Sequence, residues 1–219
     1  LTRFRIAGLY GEYFGGVVYR TRPYESTKGT VDARHEKWLK AAQHNVKSAS
    51  IFEFNKNMKQ IIREFDTIEL LNIKKPRVGV VGEILVKYSK TANNDIVNII
   101  EEEGGEAVVL DLIGFMNYSL YNQIWRTDEI GFAKKNKLMA KTLLGIINML
   151  EKPMNTALTK SERFDGIESI YDIASNTEDI ISVGNHTGEG WFLTGEMIEL
   201  LQKDVKNIVC LQPFGCLPN

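Results

Sequence analysis

The sequence is poor in the residues that mark disulfide frameworks and histidine metal sites, with two cysteines and three histidines among 219 residues. Two cysteines are too few to staple a secreted domain, so we expect a reducing, cytoplasmic location. No apolar run approaches the roughly 18 residues of a membrane helix. The first residues lack the continuous apolar core and the small-residue cleavage site of a signal peptide, so we expect no secretory leader. The 27 basic and 28 acidic residues leave a net charge of −1, which provides no basic field for nucleic acid or an anionic membrane.

The composition is that of a globular protein, with 43% apolar and 25% charged residues. The chain begins with Leu and stops three residues after its second cysteine. From these two features we expect a fragment of a longer polypeptide.

The apolar pattern from Pro76 onward is typical of an α/β fold. Arg77–Ile84 is almost entirely apolar or Gly, as in a strand buried on both faces. A helical segment ending at Gly104-Gly105 and a second strand, Glu106–Leu110, complete a βαβ unit. Further helices and a strand at Asn207–Leu211 follow. The pattern predicts an open, mostly parallel sheet with helices on both faces.

The N-terminal region has a different character, and Lys74-Lys75-Pro76 separates it from the α/β pattern. We therefore expect two regions, residues 1–75 and residues 76–219. Phe4–Leu9 and Val17–Tyr19 look like short β-strands on either side of a Gly pair. Two amphipathic segments, about Asp32–Lys47 and Ser50–Phe65, predict a helical hairpin. His35 and His44 fall on faces that we expect to be exposed.

A first candidate ligand segment follows the strand that begins at Arg77. Gly82 and Glu83 end the strand, and Asn93 and Asn94 precede the next helix. Backbone N–H groups at such a helix start can hold an anion or phosphate. The dinucleotide and Walker glycine motifs are both missing from this segment. The alternative interpretation is that Gly82 permits close packing and that Asn93 caps the helix.

A second candidate segment is the Gly-rich stretch between residues 184 and 190. Glycines let a backbone approach a ligand, and the following helix presents its N-terminus. His186 has no second histidine at metal-ligand spacing, which argues against zinc. The alternative is a structural turn whose acidic residue favours the helix dipole. The candidate ligand-binding residues are Gly184, Asn185, Thr187, Gly188, Glu189 and Gly190.

The third candidate segment is the final stretch, CLQPFGCLPN, which holds both cysteines. Cys210 falls inside the apolar strand pattern and is expected to be a small core residue. Cys216 follows Gly215 in a loop beyond the strand, where a thiolate would be accessible. The spacing fits neither a CxxC redox motif nor a zinc knuckle, so from the residues alone Cys216 is either inert or functional.

Taken together, PRVGVVGEILVKYSKTANNDIV, SVGNHTGEGWFLTGEMIEL and NIVCLQPFGCLPN resemble the activase-related proteins of the 2-hydroxyacyl-CoA dehydratase system. Dehydratase components and benzoyl-CoA reductase subunits are kin of these proteins. The resemblance also covers FRIAGLYGEYF and YRTRPYE near the start of the chain. It therefore extends over nearly the whole sequence.

The resemblance implies Rossmann-like domains, a [4Fe-4S] cluster held by thiolates and a CoA thioester near that cluster. It also implies an anaerobic setting and a partner activator that hydrolyses ATP and delivers one electron. Cys216 matches a cluster ligand, and Cys210 is given at most an assisting role there. The chain departs from the family pattern in three ways. The other ligand cysteines are missing, the usual His and Gly-Lys-Gly turn do not follow, and His186 stands where Gln is more usual.

Three functional hypotheses remain. The first is a redox component of a radical CoA-thioester dehydratase, a lyase, or of its activator. The second is a non-catalytic scaffold or sensor with the same fold. The third is an α/β module that binds a phosphate-bearing small molecule at Gly82 and Gly184–Gly190. Self-association is compatible with all three.

Overall fold

The computed structural model describes residues 2–110 and 112–216. Its strands are β1 (Arg77–Gly82), β2 (Glu106–Val109) and β3 (Asn207–Leu211). Its α-helices are α1 (Thr2–Thr21), α2 (Thr30–Ser48), α3 (Ile51–Asp66), α4 (Ile84–Tyr88), α5 (Ile96–Glu102), α6 (Leu112–Ile130), α7 (Lys134–Leu158), α8 (Ile170–Glu178) and α9 (Gly190–Gln202).

The chain divides into two compact units, and the division is not continuous in sequence. The first unit comprises the residues up to Lys75 together with Ile147–Ile167. The second comprises Pro76–Ile146 and the residues from Glu168 onward. The long helix α7 therefore supplies its first part to the second unit and its last part to the first.

The first helix corrects the expectation of β-strands near the start of the chain, because Phe4–Leu9 and Val17–Tyr19 both lie within α1. Its buried apolar residues recur every three or four positions, which is the period of a helix with one buried face. The Gly pair interrupts neither the period nor the helix. The residues on this buried face are Ile6, Leu9, Tyr10, Tyr13, Phe14, Val17 and Val18.

The predicted helical hairpin is present as α2 and α3. Ser50 caps α3, because its hydroxyl accepts a hydrogen bond from the Glu53 N–H at 3.2 Å. Its neighbour Ala49 ends α2 in the left-handed conformation, with φ of 55°. His44 is exposed as expected, but His35 is half-buried against the Phe14 ring at a centroid distance of 4.9 Å, so the prediction for His35 is wrong.

A buried polar network joins the three N-terminal helices. The Tyr10 hydroxyl of α1 donates to the Asn45 Oδ1 of α2 at 3.0 Å. It accepts a hydrogen bond from the Asn57 Nδ2 of α3 at 2.7 Å. Burial is the main cause that raises the pKa of Tyr10 to about 12, so the hydroxyl keeps its proton. Satisfied networks of this kind fix the register of the helices that they join.

Among the described residues, the second unit is built on an all-parallel, open sheet of three strands in the order β2-β1-β3. The register of the pairs runs from Arg77 beside Glu106 to Gly82 beside Leu211. The α/β class and the parallel sheet predicted from the sequence are therefore confirmed.

Helices cover both faces of this sheet. On one face Ile96 and Ile100 of α5 pack against Val80. On the other face Leu200 of α9 packs against Val81. The approach of α9 is close: a Cβ atom at Gly79 would lie 2.5 Å from the Leu200 Cδ1, so a larger residue there would push α9 away.

A separate apolar core lies where α6, α7, α8 and α9 pack together. Trp191 is fully buried at its centre, and its indole N–H donates to the Asn122 Oδ1 at 3.0 Å. The buried residues of this core are Tyr118, Ile124, Ala140, Leu144, Ile170, Ile173, Ala174, Val183, Trp191 and Phe192. Because Trp191 lies in the first turn of α9, this core positions the glycine-rich loop that precedes the helix.

Within residues 2–110 and 112–216, no helix has both the length and the apolar character needed to cross a membrane.

Candidate functional site

The three candidate segments approach one another at the carboxyl ends of β1 and β3. Gly82 ends β1 with φ of +133°, a conformation that favours glycine, and a Cβ atom there would lie 2.0 Å from the Leu211 carbonyl oxygen. The next N–H, that of Glu83, donates to the same oxygen at 2.9 Å. Gly82 is therefore required for the last pairing contact between the two strands.

The first and second segments meet at the start of α4. The Glu189 Oε1 of the glycine-rich loop accepts a hydrogen bond from the Ile84 N–H at 3.1 Å. The Glu83 Oε2 accepts one from the Val86 N–H at 2.9 Å. Two carboxylates thus occupy N-terminal donors of α4, a short helix that the sequence analysis did not predict between the strand and Asn93. Glu83 and Glu189 act here as helix caps, and a phosphate would have to bind elsewhere on this edge.

A buried ion pair lies directly behind this junction. The Lys87 Nζ of α4 is 2.5 Å from the Glu196 Oε1 of α9, and the two side chains are 3% and 4% exposed. The sequence analysis did not identify Glu196 as a candidate residue. The available signal was a charged residue inside α9, whose other residues are mostly apolar, because a buried charge requires a partner of opposite sign.

Asn93 is a structural residue in this arrangement. Its Nδ2 donates to the Val86 and Lys87 carbonyl oxygens at 2.9 and 3.0 Å. Its Oδ1 accepts from the Ile96 N–H at 3.3 Å. One side chain thus closes the end of α4 and starts α5. Asn94 takes the left-handed conformation with φ of 56° in the turn between them.

The glycine-rich loop has a buried part and an open part. Gly184 packs on the Trp125 ring, and a Cβ atom at Gly190 would lie 2.1 Å from the Asn185 carbonyl oxygen. The Tyr118 hydroxyl donates to the Gly188 carbonyl oxygen at 3.1 Å. These contacts hold the loop in place. The side chains of Asn185 and Thr187 and the backbone of Gly188 are exposed, so they are the members of this set that can reach a ligand.

His186 points away from the open part of the loop. Its Nδ1 accepts a hydrogen bond from the Arg126 Nε at 3.2 Å, and its ring stands edge-on to Trp125. Its Nε2 is buried and has no hydrogen-bond partner among the described residues. Burial, followed by the charge of Arg126, lowers the pKa of His186 and favours the neutral ring.

The two cysteines are free thiols in different settings. Cys210 is exposed in β3, so the prediction of a core residue is wrong: β3 is an edge strand, and a residue of that strand can be apolar without being covered. The Gln212 amide nitrogen lies 3.3 Å from its sulfur. Cys216 is half-buried in a turn closed by its own N–H and the Pro213 carbonyl oxygen at 3.2 Å. Residues 217–219 of the quoted C-terminal motif lie outside the described part.

The described residues do not form a metal centre by themselves. Across the two described ranges, no group of three or more His, Cys, Asp or Glu side chains is placed to hold a metal ion. Two thiolates are fewer than the four that a [4Fe-4S] cluster takes. Cys210 and Cys216 therefore do not fit such a cluster on their own.

The junction of the three candidate segments lies where open α/β sheets bind ligands. From β1 the chain crosses one face through α5 to β2, whereas α9 leads into β3 from the other face. The strand order therefore reverses between β1 and β3, and ligands bind outside the carboxyl ends of strands at such a point. Exposed apolar side chains follow the strand ends there: Leu85 is 70% exposed and Phe214 fully so.

Comparisons of the chain with protein-family profiles, with curated proteins and with solved structures returned no match.

Proposed function

We propose that the second unit is a Rossmann-like domain that binds a CoA thioester at the carboxyl ends of β1 and β3. The observation that supports this proposal most is the junction of Glu83, Glu189 and Leu211, which brings three separate segments to the point where the strand order reverses. In the dehydratase system that the sequence resembles, such a domain would present the thioester for reduction. An ATP-hydrolysing activator would be its partner.

The chemistry of the edge suggests an orientation for this ligand. The N-terminal donors of α4 are already used by Glu83 and Glu189, so they would not receive a phosphate. Asn185, Thr187 and the Gly188 backbone are exposed and offer hydrogen-bonding groups to the phosphates. Leu85 and Phe214 are exposed and apolar, as a pantetheine arm and an acyl group require.

Calorimetric titration with acetyl-CoA tests this proposal. We expect saturable binding that Thr187→Glu weakens by about tenfold or more, because a carboxylate would face the phosphates. Thr142→Glu adds the same charge on an exposed position of α7 and should leave the affinity unchanged. Absence of binding to the wild-type chain, or equal loss in both variants, would refute the site.

A second candidate function is a redox component to which this chain contributes one thiolate. Cys216 favours it, because the residue lies in the turn that leaves the same edge of the sheet. The missing ligands would have to come from outside the described residues, since these do not complete the set. The cluster would supply the one-electron chemistry, and this chain would supply the thiolate and the substrate pocket.

Iron and sulfide analysis with electron paramagnetic resonance, on the full-length protein purified without oxygen, tests this second candidate. We expect a cluster signal in the wild type that Cys216→Ser removes and that Cys210→Ser leaves in place. Wild-type protein without iron, or a signal that survives in Cys216→Ser, would contradict the assignment. The non-catalytic scaffold would then be the better hypothesis.

A further inference from the structure

A cavity of about 450 Å³ lies beside the start of α2 in the first unit. Its volume is in the range of small-molecule sites. Three of the six described residues that line it are cations, and none of the six carries a carboxylate. An electropositive wall of this kind attracts an anion. The lining residues are Lys28, Gly29, Thr30, Ala33, Arg34 and Lys37.

The helical period brings most of this lining to one face of α2. Four of the six residues recur at i, i+3, i+4 and i+7, which places them side by side on the helix surface. Gly29 precedes the helix in the left-handed conformation, with φ of +89°, and Lys28 lies before this turn. The helical part of the lining alone spans about 10 Å along the axis, and cations stand at both ends of the cavity.

The backbone donors at the start of α2 are already used. The Glu25 carboxylate accepts hydrogen bonds from the Gly29 and Val31 N–H groups at 2.7 and 2.8 Å. The Thr30 N–H donates to the Thr27 carbonyl oxygen at 3.2 Å. An anion in the cavity must therefore be recognised by the cationic side chains and not by the helix terminus.

A single carboxylate holds two of the three cations in place. The Lys37 Nζ donates to the Glu64 Oε1 at 2.7 Å, and the Arg34 Nη1 donates to the Glu64 carbonyl oxygen at 3.0 Å. Side chains fixed in this way lose little freedom when a ligand binds. One acid cannot neutralise two cations, so positive charge remains on this wall.

The other donors of the wall are available to a ligand. The Arg34 Nε and Nη2 groups have no hydrogen-bond partner in the part of the chain that the structure describes. Lys28 is exposed, and its ammonium group likewise contacts no acid among the described residues. An arginine fork and a lysine ammonium are the donors that proteins commonly use for phosphate oxygens.

From these observations we propose that the cavity binds a small molecule that carries two linked phosphates. Cations spread over about 10 Å match a diphosphate group better than a single phosphate. The volume leaves room for an organic group attached to the diphosphate. The site lies wholly within the first unit, so it does not rest on the thioester site proposed for the second unit.

Calorimetric titration of the full chain with inorganic pyrophosphate tests the cavity. We expect saturable binding that Lys28→Ala weakens by at least about fivefold, because a charge-assisted contact is lost. The variant should fold normally, since the Lys28 side chain is exposed. Lys47→Ala removes the same charge from an exposed position about 15 Å beyond Lys37 along α2 and should leave the affinity unchanged.

Two further measurements locate the pyrophosphate and identify the anion class. In amide NMR spectra, pyrophosphate should shift the Gly29, Thr30 and Ala33 resonances and leave that of Gly188 in place. Thr187→Glu, which alters the candidate site of the second unit, should keep the pyrophosphate affinity of the wild type. Orthophosphate and citrate should bind at least about fivefold more weakly, because neither presents two linked phosphates.

No saturable binding of pyrophosphate to the wild-type chain would overturn the proposal, as would equal affinities of the Lys28→Ala and Lys47→Ala variants. Shifts confined to Gly188 and its neighbours, with binding lost in Thr187→Glu, would assign the anion to the second unit instead. Citrate that binds as tightly as pyrophosphate would show that the cavity selects negative charge and not a diphosphate.

Discussion

Lys87 and Glu196 show how single residues at this site balance desolvation against pairing. Taking two charges out of water costs several kcal/mol each, and their mutual attraction offsets that cost only while both are present. The pair connects α4, which follows β1, with α9, which packs on the sheet. It therefore fixes the position of the candidate site more than it adds to stability.

Removing one member of this pair should lower the free energy of unfolding far more than removing both. We expect Lys87→Met to lower the free energy of unfolding by about 3 kcal/mol, because it leaves Glu196 buried without its cation. The double variant with Glu196→Leu should recover most of that loss. Urea unfolding of the wild type and the three variants measures the coupling. A double variant as unstable as the single one would contradict this account.

Glu64 gives a pH-dependent prediction in the first unit. Burial acts to raise its pKa, but the hydrogen bonds from Lys37 and from the Trp38 indole, with the nearby charges, outweigh burial and lower the pKa below its usual value of 4.5. A carboxyl with a lowered pKa stabilises the fold above its unfolded pKa. That contribution is lost as the pH falls through the folded value.

Replacement of Glu64 should therefore lower the stability of the fold at neutral pH and leave it unchanged in acid. We expect Glu64→Gln to lower the free energy of unfolding by about 1 kcal/mol at neutral pH, and the difference to vanish well below pH 4.5. Urea unfolding at both pH values provides the test. Glu36→Gln, which removes an exposed pair with Lys40, is the control and should have little effect at either pH. A constant difference across the pH range would show that the carboxylate charge is not the cause.

At the scale of elements, α1 shows where sequence patterns mislead. Gly15 and Gly16 suggested a break between two strands, yet the buried positions on either side keep one helical period. Glycine is unfavourable within a helix by about 1 kcal/mol but does not end one whose apolar face is buried. Tertiary packing of that face therefore outweighed the local preference.

Gly16 offers a direct test of the helix. The residue is exposed and a Cβ atom there would meet nothing within 4 Å, so Gly16→Ala should stabilise the chain by about 0.5–1 kcal/mol. Gly79→Ala is the contrasting variant, since its Cβ atom would overlap Leu200 and should destabilise the chain. Thermal or urea unfolding compares the two. A destabilising Gly16→Ala would argue against a continuous α1.

Much of the sheet, by contrast, could be predicted from the sequence. Arg77–Ile84 and Glu106–Leu110 were recognisable because buried parallel strands are continuously apolar, and glycines marked the helix end between them. The convergence of the candidate segments at the strand ends was seen only in the structure, and it agrees with a general rule about ligand sites in open α/β sheets. The sequence alone could not decide the roles of Glu83, Glu189 and Asn93. A side chain that caps a helix and one that binds a ligand at a helix start have the same sequence signature.

At the scale of the whole molecule, the first unit needs a segment distant in sequence. Arg163 donates to the Phe65 and Ile68 carbonyl oxygens, and the Ser161 hydroxyl donates to Asp66 at 2.7 Å. These bonds attach Ile147–Ile167 to the end of α3. The N-terminal helices are therefore incomplete without residues from the middle of the chain.

A truncation experiment tests this dependence. We expect a chain ending at Lys75 to lose cooperative urea unfolding, because it lacks the segment that satisfies the end of α3. In the full chain, Arg163→Ala should lower the free energy of unfolding by about 2 kcal/mol through the loss of charge-assisted hydrogen bonds. Lys160→Ala removes an exposed cation nearby and should be close to neutral. A cooperative fragment of residues 1–75 would contradict the prediction.

The interleaved division of the chain has a consequence for its biosynthesis. A ribosome delivers α1, α2 and α3 first, but the segment that completes their unit comes only after the first two strands of the sheet have been made. The nascent N-terminal helices must therefore wait while the chain grows by some 90 residues, about five to twenty seconds of translation. During that interval their apolar faces are open to chaperones, and synonymous codons that slow elongation between residues 76 and 146 would lengthen it.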